Sequence, residues 1–367
     1  MADPRVSNLA RVLVNYCVDV QPEHLVSIQG LPVAQPLLKE IYREVLRAGG
    51  YPYLIAGIDG VEELFLSEAS DDQLQHVSKV SEMIANEFDA RIVVLSSSNT
   101  RNLSSLNPER QQLWARTNTG IMETTMKRSA AKEMNWVGTL YPTPAYAQDA
   151  EMSLEEFEDF VYSTTYADQA DPVAEWLSFR GMQQRLVDWL DGKKQVEVRG
   201  PHIEMSLSIE ERIFWNSAGR KNMPSGEIFT GPVEDSANGW VQFSYPAVIQ
   251  GREIEDVELH FEKGKVVKAT AEKNEQFLQS VLEADDGARY LGEFAIGTNK
   301  NIDRFIKNIL FDEKIGGTIH MALGAGYPET GSLNKSAIHM DMICDMRDGG
   351  QIHVDGELFY DSGEFKI

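Results

Sequence analysis

The chain has 367 residues, 42% apolar and 25% charged, proportions that argue against disorder, collagen-like repeats and a membrane protein. That length exceeds one ordinary core and predicts two domains. A net charge of −23 disfavours nucleic acid and anionic membrane as partners, because phosphate binding needs a basic surface.

At the start, Leu9, Val12, Leu13, Tyr16, Cys17 and Val20 recur at helical spacing, so the segment reads as an amphipathic helix of the fold and not as a signal peptide. No apolar run approaches the roughly 20 residues that span a bilayer, and a cytoplasmic location is expected. Leu25 to Gln29 suits a buried strand, and Pro36 to Ala48 has helical periodicity ending at Gly49-Gly50. Tyr51 to Ala56 is strand-like, Asp71 to Phe88 helical, and Ala90 to Leu95 a β-branched strand. This alternation predicts a mostly parallel sheet covered on both faces. No strand is followed by G-x-G-x-x-G and no P-loop occurs, so the N-terminal half reads as scaffold or substrate wall.

Residues 141–152 carry two prolines and little periodicity. Ser153 to Tyr162 then reads as a helix with Ser153 and Glu156 forming a capping box, followed by a helix from Pro172 to Asp191 that stops at Gly192. From Gln195 onward short alternating runs, such as 196–198, 203–207 and 256–261, replace the helices. The expected organisation is an α/β domain over 1–192 and a β-rich α+β metal-binding catalytic domain over 193–367.

Only Cys17 and Cys344 are present, each in an apolar pattern, which excludes a disulfide framework or a thiolate metal site. In SAIHMDMIC (336–344) a strand would put Ile338, Met340, Met342 and Cys344 on one face and His339 with Asp341 on the other. One H-x-D is weak alone, since it also describes the wet face of a half-buried strand. A second strand-like run, Thr318 to Leu323, likewise sets His320 opposite Ile319, Met321 and Leu323, with Glu313 before it and Tyr327 after it. Glu293 lies in an apolar segment between Gly292 and Gly297, where an unpaired carboxylate is costly. Glu227 sits between two Gly/Pro turns and reads as presented by a rigid loop.

Four carboxylates and two imidazoles without thiolates suit Zn, Co or Mn, with Mg also admissible, in a hydrolytic two-metal site. G-x-S-x-G and H-E-x-x-H are absent. A dimetal amidohydrolase or phosphoesterase would use the same donors, as would a non-catalytic protein that stores metal or binds peptides. Only Lys314 and Lys335 lie near the motifs, which weighs against phosphate esters.

The ordered set MPSGEIFTGP, YLGEFAIGTN, LFDEKIGGTIHMALGAGYP and SAIHMDMICD resembles the aminopeptidase T/aminopeptidase S family of metallopeptidases, as do LARVLVNYCVDVQPEHLV, IYREVLRAGGYPYL and FLSEASDDQL near the start. The resemblance covers nearly the whole chain. It implies that Glu227, Glu293, Glu313, His320, His339 and Asp341 are metal ligands and that Tyr327 stands near the reaction centre. It further implies two divalent metals, peptide substrates with a free N-terminus, broad side-chain tolerance and a homodimer. The chain departs from the pattern in the long seven-residue step from Glu313 to His320, which leaves Glu313 as metal ligand or general base, and in GSLN at 331–334.

Overall fold

A computed structural model describes residues 3–249 and 252–367. These form two compact units, each described on its own: residues through 176 with 219–224, and 177–218 with 225–367. The division falls inside the helix Pro172–Leu190, earlier than the expected boundary at 192. The cause lies in the helix itself. Trp176 is buried in the first unit, its indole N–H donating to the Thr165 carbonyl at 2.9 Å, whereas Leu186 and Leu190 join the core of the second.

The first unit is built on parallel strands β1 (Leu25–Gly30), β2 (Tyr51–Ala56), β3 (Ala90–Leu95) and β4 (Asn135–Leu140), in the order β2-β1-β3-β4, with the short strand Asn222–Met223 added beside β4. The α/β reading is therefore correct. Cover on both faces holds for the inner β1, where Val26, Ser27 and Ile28 are buried, but the edge strand β2 leaves Tyr51, Tyr53, Leu54 and Ile55 exposed. The helix expected over 71–88 is two, Asp71–Leu74 and Lys79–Glu87, because Ser70 and Ser78 each cap a separate start by accepting a backbone N–H. The first helix continues past Val12 as a wider turn over Leu13–Cys17, where the Val18 N–H reaches the Leu13 carbonyl. The capping box at Ser153 and Glu156 forms as expected.

The second unit holds an eight-stranded antiparallel sheet and a five-stranded antiparallel one. The five-stranded sheet consists of β5 (Trp215–Ser217), β6 (Glu227–Thr230), β7 (Leu291–Gly297), β8 (Thr318–Gly324) and β9 (His339–Asp345), in the order β9-β8-β7-β6-β5. Alternation along these strands divides their side chains. Ile228, Phe294, Ile296, Ile319, Met321, Leu323, Met340, Met342 and Cys344 enter a core shared with Val196, Val198, Met205 and Leu259 of the larger sheet. Cys17 and Cys344 are both buried and unbridged. No described helix is long and apolar enough to cross a membrane.

Candidate metal centre

The second face of the five-stranded sheet carries the chemistry. Glu227 opens β6 and is buried, paired in register with Gly297 of β7; it belongs to a strand and not to the loop expected from its flanking turns. Its backbone is pinned by the buried Gln183, whose amide donates to the Glu227 carbonyl at 2.7 Å and whose oxygen accepts from Thr298. No local pattern marks Gln183, because its partner Glu227 lies 44 residues further along the chain.

On β7, Leu291 and Phe294 both point into the core although they are three residues apart. The register shifts between Leu291 and Glu293, a bulge that inserts Gly292 and turns Glu293 onto the open face. Only glycine fits there, since a Cβ would stand 2.4 Å from the carbonyl oxygens of Gly324 and Ala325. His320 lies across from Ala295, Asp341 across from Ala322 and His339 across from Gly324, so small residues leave room for each donor. Glu313 caps the short helix Ile309–Asp312, and its partially buried side chain reaches the same cluster.

All six carboxylates and imidazoles singled out in the sequence thus converge. They fall into three overlapping sets, Glu227–Glu293–His320, Glu293–His339–Asp341 and Glu313–His320–Asp341, each with donor atoms within 4.8 Å of one another. His320 Nε2 is 3.5 Å from Glu227 and 3.4 Å from Glu293, while His339 Nε2 is 3.4 Å from Glu293 and 3.3 Å from Asp341. Two donors bound about 2.1 Å from one tetrahedral ion stand about 3.4 Å apart, so these spacings match those that atoms sharing a cation would have. Two inward-facing oxygens, Glu227 Oε2 and Asp341 Oδ1, have no hydrogen-bond partner, as a ligand oxygen would before loading. His339 Nδ1 donates to the Ala325 carbonyl at 2.8 Å, which fixes the ring and turns Nε2 inward.

The electrostatics agree. Burial alone would depress both imidazoles, but Glu293 together with Glu227 and Asp341 lifts His320 to about 9, and Asp341 with Glu293 lifts His339 to about 11. Burial likewise pushes the Glu313 carboxyl up to about 7 against the opposing pull of Lys314. Lys314 is fully buried, and its ammonium contacts Glu313 and lies 3.8 Å from Glu227. Burial works against that charge, yet Glu227 and Glu313 hold it above the ordinary lysine range. The sequence marked Lys314 only as a nearby base; that it turns inward follows from backbone contacts no motif encodes. Tyr327 lies at the open rim, 41% exposed, its ring 5.3 Å from Phe229 and 5.4 Å from His339. Desolvation and the surrounding carboxylates raise its phenol, which keeps its proton.

Known proteins match this chain end to end. Aminopeptidase 2 of Geobacillus stearothermophilus is 25% identical over 96% of this chain and 94% of its own length, and aminopeptidase PepS of Streptococcus thermophilus is 25% identical over 95% and 92%. Aminopeptidase T of Thermus thermophilus is 27% identical over 76% of this chain and 74% of its own. The solved wild-type AmpT from Thermus thermophilus superposes with a TM-score of 0.86 over 99% of both chains at 21% identity, which carries the fold. A 2,5-dihydroxypyridine dioxygenase from Pseudomonas putida shares the fold more loosely, with a TM-score of 0.54 at 13% identity, so fold alone does not fix the reaction. The family signature for thermophilic metalloproteases (M29) spans residues 2–365, and the chain belongs to that family.

Proposed function

We propose that this protein is an aminopeptidase that removes the N-terminal residue of peptides, with broad side-chain tolerance, using two divalent cations held on the open face of the five-stranded sheet. The observation that carries the reading is the set of 3.3–3.5 Å separations among Glu227, Glu293, His320, His339 and Asp341, with two buried oxygens left unpartnered. Glu227, Glu293 and His320 would hold one cation, and Glu293, His339 and Asp341 the other, with Zn, Co, Mn or Mg as candidates. When bound, the cations polarise the scissile carbonyl and make water acidic enough to attack at neutral pH.

The protein's own groups do the rest. Glu313, its carboxyl near 7, takes the proton from the attacking water and passes it to the leaving amine. Tyr327 keeps its hydroxyl proton and donates a hydrogen bond to the oxygen that gains charge. Phe229, its ring tilted against that of Tyr327 at 5.3 Å, holds that ring at the rim. Named aminopeptidases among the relatives support the substrate class, the resemblance to the aminopeptidase T/aminopeptidase S family is the ground for a homodimer, and the sequence pattern is the ground for a cytoplasmic location.

The test is hydrolysis of Leu-p-nitroanilide by cobalt-loaded protein beside an N-acetylated control. Cleavage of the free amine alone is expected. Equal cleavage of both would make it a general amidohydrolase, and no cleavage of either would refute the enzyme reading.

A further inference from the structure

Lys314 brings a buried ammonium into a cluster of four carboxylates and two imidazoles, and no step above uses it. It rests on the metal-centre reading just given. Its placement is built: the backbone of Lys314 and Ile315 passes so close to Gly297 that a Cβ there would lie 2.1 Å from the Ile315 carbonyl oxygen. Gly297 is the cross-strand partner of Glu227, so the absence of a side chain at 297 lets Lys314 settle against that carboxylate. Glu227 then faces two ways. Its Oε1 looks to Lys314 at 3.8 Å, and its unpartnered Oε2 looks to His320 at 3.5 Å. Glu313 turns its Oε1 to the same ammonium.

We propose that Lys314 is a positioning residue that acts as a permanent internal cation of the centre: it neutralises Glu313, withdraws that carboxylate from the metal ligands, and weakens cation binding on the Glu227 side. Glu227, Glu293, Glu313 and Asp341 contribute four negative charges, which two dications alone would cancel. Lys314 leaves the loaded centre one charge positive, a field that favours an electron-rich carbonyl oxygen or a small anion. In the metal-free centre it adds its charge to those of the two imidazoles against the four carboxylates.

Metal-free protein, stripped with a chelator, is titrated with Co²⁺ by calorimetry, and Tm is read with and without Co²⁺. Lys314→Met is expected to bind the cation at least about tenfold more tightly, since a buried positive charge at this range opposes a dication. Its Tm should fall in the metal-free form and recover largely on loading. The double variant Glu313→Gln/Lys314→Met removes both charges, leaves no lone buried ion, and should keep two Co²⁺ per chain at near wild-type affinity. Unchanged or weaker binding in Lys314→Met, with an equal Tm loss in both forms, would reduce Lys314 to an ordinary buried ion pair and overturn the proposal. Loss of one Co²⁺ from the double variant would show Glu313 to be a ligand and overturn it equally. Wild-type protein that binds no Co²⁺ at all would instead sink the metal-centre reading itself.

Discussion

Metal loading should release protons, and the structure gives the number. In the metal-free protein His320 titrates at about 9 and His339 at about 11, so both imidazoles are protonated at pH 7. Each cation set contains one of them, and ligation requires the neutral ring. Loading both sites at pH 7 therefore expels about two protons. For the His320 set the apparent affinity at pH 7 should lie about 100-fold below its value above pH 9, at tenfold per pH unit. Stability runs the other way in the metal-free form. A histidine raised above its unfolded value stabilises fully below about pH 6.5 and loses that contribution as pH climbs toward 9 and 11. The Tm gain on adding metal should consequently widen from pH 6.5 to 9. Calorimetric titration at pH 7 in two buffers of different ionisation enthalpy counts the protons directly. A count near zero, or an affinity flat between pH 6.5 and 8.5, would refute the assignment of His320 and His339 as ligands.

Glu293 belongs to both of the sets proposed to hold a cation, so Glu293→Gln should lower affinity for both cations by more than about 100-fold while the strand's core residues keep the fold; retention of one tight cation on mass analysis would break the shared-ligand assignment. Tyr327→Phe should lower kcat by roughly 10²–10³ with metal content unchanged, as loss of one donor to a developing oxyanion does, and an unaltered kcat would remove Tyr327 from the mechanism. Gly292→Ala should destabilise by about 1–3 kcal/mol, because its methyl meets two carbonyl oxygens, and should also weaken metal binding through displaced Glu293; a denaturation midpoint and Kd equal to wild type would deny the bulge its role.

How much of this was legible beforehand follows from the range of each signal. His339, Asp341 and His320 could be placed because two-residue alternation against Met340, Met342, Ile319 and Met321 is local, and strand geometry converts it into a face. Glu293 was legible as a carboxylate in apolar company, but the bulge that aims it was not, since the shift depends on how β7 meets β8. The glycines and prolines flanking Glu227 point to a loop and hide a four-residue strand. The glycine after the helix is a sound local stop and points to a boundary at 192, whereas the helix itself is divided between two cores. Gln183 and Lys314 stayed hidden because their partners, Glu227 and Thr298 for one and Glu227 for the other, lie far along the chain.

The donors sit on four strands that enter the chain at Glu227 and are complete only at Asp341. On the proposed assignment a nascent chain can complete the Glu227–Glu293–His320 set once β8 is made, but not the Glu293–His339–Asp341 set until the last strand of that sheet has been synthesised and has zipped against β8. Such distant pairings are slow to form, because long loops must close before any contact repays them. Capture of the second cation would thus be a late event in the life of the molecule, and a fragment ending before residue 339 would lack two of the proposed donors however well its earlier strands assembled. Uptake of that second cation, followed during refolding, would serve as a timer for completion of the five-stranded sheet, recording the docking of β9 and not the collapse that precedes it.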